Sequence, residues 1–402
     1  MEEPLIRILS LSTEFPNPSE PGKGLFVRAR LRAIAARTPL TVIAPVALVD
    51  YAHPRNQYLA AFELPRRRRD DGIDVLHPRW LYPPYGGWLN AFLLFARLLW
   101  PIARLQKRER YDVIDAHYAH PEGIAAVLAG RLLHMPVVIT IRGSELRYRR
   151  QKQKIRWIGW ALRNAGRVIA VSAGLRQLAL DLGVDPLRTA IIPNGINADV
   201  FFPRGKSACR ERLDVPMDDR VILCAGDLAE LKGHHKVIRA LKDLVDTGMS
   251  ARLLIAGGVG RSGRYAATLR EQVAQNGLQE RVRFIGEVSQ DTLAELMSSA
   301  DVFCLASSSE GWPNVVNEAL ACGTPVVATD VGAVRQMICS PQYGSIVPID
   351  DPAALLLALR TAVSRAWDHD AISAWGRSRT WDDVASEVLE QVRAVIEERQ
   401  PG

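Results

Sequence analysis

The chain has 402 residues, 48% of them hydrophobic and 24% charged, with a formal net charge of +7. These values exclude a disordered chain and a disulfide-stapled miniature, and the length is too great for one ordinary core; two domains of roughly 200 residues fit. The charge is uneven, +12 over residues 1–200 and −5 over residues 201–402, so the first half is expected to meet something anionic, with nucleic acid or a membrane surface as the obvious partners. The five cysteines, Cys209, Cys224, Cys304, Cys322 and Cys339, form no CxxC pair and read as reduced, buried thiols of a cytoplasmic chain. The start, MEEPLIRILSL, carries two acids and reads as a strand, not a secretory signal. The stretch nearest to a membrane span, Trp88 to Leu105, is interrupted by Arg97, Pro101 and Arg104, so no span is expected.

Apolar, β-branched runs alternate with helical patterns along the chain. In the first half they predict strands over Ile6–Ser10, Leu40–Ala44, Val113–Ala116, Val137–Ile141, Val168–Ala170 and Ala190–Ile192, with helices such as Gly24–Ala36 and Glu122–Leu133 between them. The second half repeats the rhythm at Val221–Ala225, Arg252–Ala256, Val282–Ile285, Val302–Leu305, Pro325–Ala328 and Ser345–Val347. Near-continuous apolar strands separated by helices imply parallel sheets covered on both faces, here two doubly wound α/β domains. The boundary is expected in Pro193–Ser207. Ligands of such sheets bind beyond the carboxyl ends of the strands, so chemistry is sought in the loops that follow strands.

The richest segment is Ser307–Gly332, SSSEGWPNVVNEALACGTPVVATDVG. A buried strand ends at Ala306, and a polar loop follows. Pro313 suits the first turn of a helix, which runs to about Cys322, where Gly323 supplies a cap. The helix start exposes N–H groups and positive dipole, a ready place for a diphosphate. Glu310 in the loop and Glu318 in the helix can bind hydroxyls of a sugar and a ribose, or be a solvated loop acid and a helix-surface acid.

This segment resembles the signature of retaining glycosyltransferases of family four, which have the GT-B fold. In that family two glutamates separated by seven residues precede an ALACG-PVVAT segment. The resemblance implies two facing Rossmann-like domains with a central cleft: an acceptor-side domain over 1–196, a donor domain over 197–380, and a final helix over 381–402 packing back on the first. It implies that Glu310 and the backbone of Gly311, Trp312, Pro313, Asn314 and Val315 hold the donor sugar, and that Glu318 holds the ribose. Gly226–Leu241 is similar to the family's diphosphate-binding segment, with Gly226 at the strand end and Lys232 as the phosphate cation, which would stabilise the leaving group. Asp227 stands where the family commonly has arginine, so a second cation is expected elsewhere, Arg142 and Arg261 being candidates.

His117, in DVIDAHYAHPEG, matches the family's active-site histidine; His120 reads as a loop residue. Phe15–Arg30 resembles the glycine loop that approaches the ligands, with Gly24 lacking a side chain to obstruct them. Arg142 stands where a histidine is frequent. Ser172 matches a cleft serine and is also a natural helix N-cap. Asn194 belongs to the hinge motif PNG, in which Asn197 replaces the usual aspartate. The catalytic set implied is therefore His117, Glu310 and Lys232, with no cofactor and no metal.

Gly258, Gly260 and Gly263 spell a literal GxGxxG, but Glu280 precedes the next strand, unlike a ribose acid of a dinucleotide fold; in the family this loop lies near the nucleotide base. Asp368, His369 and Asp370 spell a DxD that reads as surface. Arg147–Arg163 combines five cations between Arg149 and Arg156 with Trp157 and Trp160, which suits an anionic membrane interface; Arg66–Arg69 and Trp88–Ile102 could extend it. No nucleic-acid module accompanies the charge. The expectation is a retaining glycosyltransferase bound loosely to the inner membrane face, moving a sugar from a nucleotide-diphosphate sugar to a lipid-linked or polysaccharide acceptor. A sugar-nucleotide epimerase and a non-catalytic binding protein are the alternatives.

Overall fold

A computed structural model describes residues 5–48, 63–83, 86–259 and 263–399. The chain divides into two compact units, Met1–Gly195 with Trp381–Gly402, and Ile196–Thr380.

The first unit is built on an eight-stranded sheet. Its strands are β1 (Ile8–Leu11), β2 (Leu40–Ile43), β4 (Arg67–Asp70), β5 (Ile73–Leu76), β7 (Val113–His117), β8 (Val137–Ile141), β9 (Arg167–Ala170) and β10 (Thr189–Ile191), while β3 (Val46–Ala47) and β6 (Arg79–Trp80) pair separately. The order is β10-β9-β8-β7-β1-β2-β5-β4, and every pairing is parallel except β4 with β5. One face carries the helices Leu25–Ala35 and Trp381–Glu397 over a core that includes Ile8, Val42, Val113, Val138 and Ile169. Six residues of the final helix, from Val384 to Val395, are buried there.

The second unit holds six parallel strands in the order β13-β12-β11-β14-β15-β16. These are β11 (Arg220–Ala225), β12 (Ala251–Ala256), β13 (Val282–Gly286), β14 (Val302–Leu305), β15 (Val326–Thr329) and β16 (Gly344–Val347). Along β11 the residues alternate between two cores: Val221, Leu223 and Ala225 face one, Ile222 and Cys224 the other. Such a sheet has no wet face, which is why its strands read as unbroken apolar runs. All five cysteines are free, and four are buried.

Three expectations need correction. Arg66–Arg69 is not simply a basic surface run: Arg67–Asp70 is the antiparallel edge strand of a hairpin whose turn is Asp71 and Gly72, both at positive φ. Arg67 pairs with Asp74 at 2.8 Å and Arg68 with Asp70 at 3.1 Å, so part of that charge is spent locally. The helix Lys152–Asn164 forms as expected, but its tryptophans are not free. Trp157 stacks on Trp88 at 6.0 Å and meets Phe92 and Trp160 edge-on, a half-buried aromatic cluster. Finally, the helical stretch Gly87–Glu109 is long and apolar enough to cross a membrane by length and composition. It buries Leu94, Leu98, Ile102 and Leu105 in its own unit while Leu93 and Trp100 are exposed, which is the pattern of an amphipathic surface helix.

Candidate active site

In the second unit the candidate residues gather at the carboxyl ends of β11, β12 and β14. Beyond β11, Gly226 turns the chain at φ 137°, and the short 3₁₀ turn Glu230–Lys232 follows. Gly233 closes that turn at φ 70° and starts the helix His234–Asp246. A Cβ on Gly233 would collide with the carbonyl oxygen of Ala306 at the end of β14, so only glycine lets the turn come this close. Lys232 is thereby held beside the loop after β14, where Ser308 N–H donates to the Leu231 carbonyl at 2.8 Å. Its Nζ donates to Glu310 Oε1 at 2.7 Å, with the two side chains 25% and 12% exposed. Gly258, after β12, accepts from Leu228 N–H at 2.8 Å. Gly260 and Arg261 lie outside the described residues.

The helix after β14 is Asn314–Ala321. Pro313 is its N-cap, not its first-turn residue: at φ −75° and ψ 90° it is still outside the helix, and its carbonyl accepts from Val316 N–H at 3.0 Å. Among the described residues no side chain caps this start, and the positive end of its dipole faces the loop that carries Glu310. Gly311 O accepts from Ala333 N–H at 3.2 Å, which ties the loop to the turn after β15. Trp312 and Val315 pack against the core, and the Trp312 indole N–H is buried without a partner among the described residues. Glu318 is half-buried, and its carboxyl has no hydrogen bond among the described residues; burial pushes that carboxyl up to about 7. Asp227 is exposed, and its carbonyl accepts from the His234 ring at 3.2 Å.

The first unit presents a different arrangement, at the ends of β7 and β8. His117 is the last residue of β7, next to Thr140 of β8, and is 0% exposed. Two residues earlier on the same strand, hence on the same face, Asp115 accepts from the ring at 3.1 Å. The other ring nitrogen, Nδ1, accepts from the Arg142 guanidinium at 3.0 Å. Arg142 also donates to Asn194 Oδ1 at 3.0 Å. Behind this chain, Arg30 donates to Asp115 at 3.2 Å and to Thr140 Oγ1 at 2.7 Å.

Burial works against an ionised Asp115, but the charges of Arg30 and Arg142 and the hydrogen bond from His117 outweigh it and hold the carboxyl well below the usual carboxylate range. An ionised acid only accepts, so the imidazole proton sits on Nε2. Burial pushes the His117 ring down to about 4 despite Asp115, and the ring is neutral at ordinary pH. Burial, with the charge of Arg30, lowers the Arg142 guanidinium to about 9.

Neighbouring loops are locked in place around these residues. Glu145 accepts from Ala119 N–H at 3.0 Å and Gly143 N–H at 2.9 Å. Glu122 accepts from both the backbone and hydroxyl of Thr13; its second oxygen is buried without a partner, and burial pushes its carboxyl up to about 7. Tyr118 follows His117 at φ 74°, a strained conformation for a bulky residue. Gly24 starts the helix Leu25–Ala35 at φ 61°, pressed against the Glu14 carbonyl. Ser172 caps the helix Ala173–Asp181, accepting from Leu175 N–H at 3.4 Å. Thus His117, Arg142 and Asn194 come together, while the structure assigns Ser172 a local capping bond. Asp115, Arg30 and Glu145 carry no motif of their own. The one available signal was the i, i+2 spacing of Asp115 and His117 on a strand.

Two Rossmann-like units of this kind define a glycosyltransferase fold of GT-B type. Among solved structures, the sucrose-phosphate synthase of Thermosynechococcus elongatus matches with a TM-score of 0.79 at 20% identity, covering 98% of this chain and 100% of the other. The family model Glycosyltransferase Family 4 matches residues 58–200, and Glycosyl transferases group 1 matches residues 206–378. The D-inositol 3-phosphate glycosyltransferase of Xylanimonas cellulosilytica is 32% identical over 317 residues, 72% of this chain and 73% of that protein. The "Putative teichuronic acid biosynthesis glycosyltransferase" of Bacillus subtilis is 27% identical over 406 residues, 97% and 94% of the two chains. The chain belongs to the group 1 glycosyltransferases of family four, and it is an enzyme of that class.

Proposed function

We propose that the chain moves a sugar, with retention of configuration, from a nucleotide-diphosphate sugar to a lipid-linked or polysaccharide acceptor in cell-surface glycan synthesis. The observation that carries the reading is the approach of Lys232 to Glu310 at 2.7 Å beside an uncapped helix start. A cation, a carboxylate and the positive end of a helix dipole thus meet where strand ends place ligands. Lys232 and the helix start take the charge of the departing diphosphate. Glu310 and Glu318 take sugar and ribose hydroxyls. Neither a cofactor nor a metal is part of this reading.

Thermal-shift screening of UDP-, GDP- and ADP-sugars identifies the donor, because a ligand specific to the folded state raises its stability. Slow donor hydrolysis is then compared with Glu310→Ala and Lys232→Ala. The expected result is a large loss in both; unchanged rates in both refute the site. Product NMR reports retention or inversion, and donor turnover without any acceptor would instead favour the epimerase.

We further propose loose attachment to an anionic membrane surface. Its support is the cation run Arg149–Arg156, continued by Trp157, which stacks on Trp88 next to the exposed Leu89. Co-sedimentation with vesicles of anionic phospholipid is expected to weaken when Arg149, Arg150, Lys152 and Lys154 are neutralised. Equal binding rejects this attachment.

A further inference from the structure

His117 offers a substrate very little. It is 0% exposed, its Nε2–H is given to Asp115, and its Nδ1 lone pair is taken by Arg142. Arg142 is the opposite case. A guanidinium has five N–H donors; one goes to His117, one to Asn194, and Nε–H has no partner. One face lies over the Phe26 ring at 5.2 Å. Among the described residues no carboxylate touches the guanidinium: Asp115 is engaged by Arg30 and His117, and Glu145 by the backbone N–H groups of Ala119, Arg142 and Gly143. The side chain is 8% exposed, at the carboxyl edge of β8.

A buried cation whose direct side-chain contacts are two neutral acceptors is oriented without a direct ion pair, Asp115 and Glu145 acting on it only at longer range. A carboxylate in the place of His117 would orient it equally well and cancel its charge. Burying such a cation is costly unless an anion joins it. We infer that Arg142 is the group of the first unit that touches a phosphate oxyanion, and that His117, braced by Asp115 and Arg30, is its positioning residue. Of the two candidates for the second phosphate cation this selects Arg142, and it gives His117 a positioning role in place of the catalytic one that the family resemblance implies. The inference rests on the glycosyltransferase reading above. The oxyanion is the donor's diphosphate or a phosphate on the acceptor; the chemistry is the same, and the test separates them.

The test is calorimetric titration of the full chain with UDP, GDP and ADP, with the corresponding nucleosides, and with inorganic phosphate. The variants are Arg142→Met, Arg142→Lys, His117→Gln and His117→Leu, each checked for folding by thermal melting. If the donor supplies the oxyanion, Arg142→Met weakens the preferred nucleoside diphosphate by at least about tenfold and leaves its nucleoside unchanged. If the acceptor supplies it, diphosphate affinity is kept and inorganic phosphate binding is lost. His117→Gln, which can still donate to Asp115 and accept from Arg142, is expected to stay within about threefold of wild type. His117→Leu is expected to follow Arg142→Met.

Should Arg142→Met fail to fold, Arg142→Lys decides, since a lysine keeps the charge and loses the fork. Wild-type affinity for every phosphate ligand in the folded Arg142 variants overturns the inference. If Lys232→Ala still abolishes diphosphate binding in that case, the assignment of the second unit stands. A wild-type chain that binds none of the three diphosphates overturns both.

Discussion

Each unit sets a carboxylate against a cation, and the two pairs are built for different ends. In the first, Arg30 and Asp115 meet at 3.2 Å with side chains 2% and 1% exposed, and Asp115 serves His117 as well. In the second, Lys232 and Glu310 meet at 2.7 Å but are 25% and 12% exposed. A fully buried pair is costly to break, because the survivor keeps its charge and loses its partner. A half-open pair gives little stability and can exchange its partner for a ligand's phosphate or hydroxyl. On the function proposed above, the first pair is a brace and the second an interim arrangement for charges that a donor would rearrange.

The sharpest way to break this comparison is to cut each pair. Asp115→Ala is expected to cost about 3–5 kcal/mol of stability, read by denaturant unfolding, because Arg30 is left buried with only Thr140. Lys232→Ala is expected to lower sugar transfer roughly 10²–10³-fold while changing stability by less than about 1 kcal/mol. Should the stability effects be reversed, brace and ligand site have been confused.

A subtler test uses the two raised carboxyls, Glu122 in the first unit and Glu318 in the second, both pushed by burial from 4.5 to about 7. Between those values the folded chain holds a proton that the unfolded chain has released. Stability contributed by the group therefore falls as pH rises from 4.5 to about 7 and is level above that. Glu318→Gln should melt like wild type near pH 4 and above it at pH 8, with the gap opening across that window. Glu122→Gln should show a smaller gain, since its amide oxygen can keep both hydrogen bonds from Thr13 while its NH2 group takes the place of a buried, unpartnered oxygen. Equal curves for both variants would mean that burying that amide costs nothing.

The smallest effect sits away from either pair. Asp351 caps the helix Pro352–Ser364 by accepting from Ala354 N–H at 2.9 Å. Asp351→Ala is expected to cost about 1 kcal/mol and to leave transfer unchanged.

The strands of both sheets were legible because parallel strands are buried on both faces and read as apolar runs. The β4–β5 hairpin was not recognised, although Asp71-Gly72 is a strong two-residue turn signal; the charged run Arg66–Arg69 drew attention instead. Lys232 and Glu310 are 78 residues apart, and only the family resemblance joined them. Asp115 and Arg30 were invisible for a related reason. Arg28, Arg30 and Arg32 look alike in a surface helix, and nothing local says that Arg30 alone turns inward to 2% exposure. Pro313 was misplaced by one position, as helix starts often are.

The last helix, Trp381–Glu397, belongs to the first unit's core. A ribosome making this chain therefore releases the first sheet with a strip of one face uncovered. That strip stays bare until the whole of Ile196–Thr380 has been synthesised, roughly ten to forty seconds at ordinary elongation rates. The nascent first unit must survive that interval incomplete, and the completed chain closes it from its own tail.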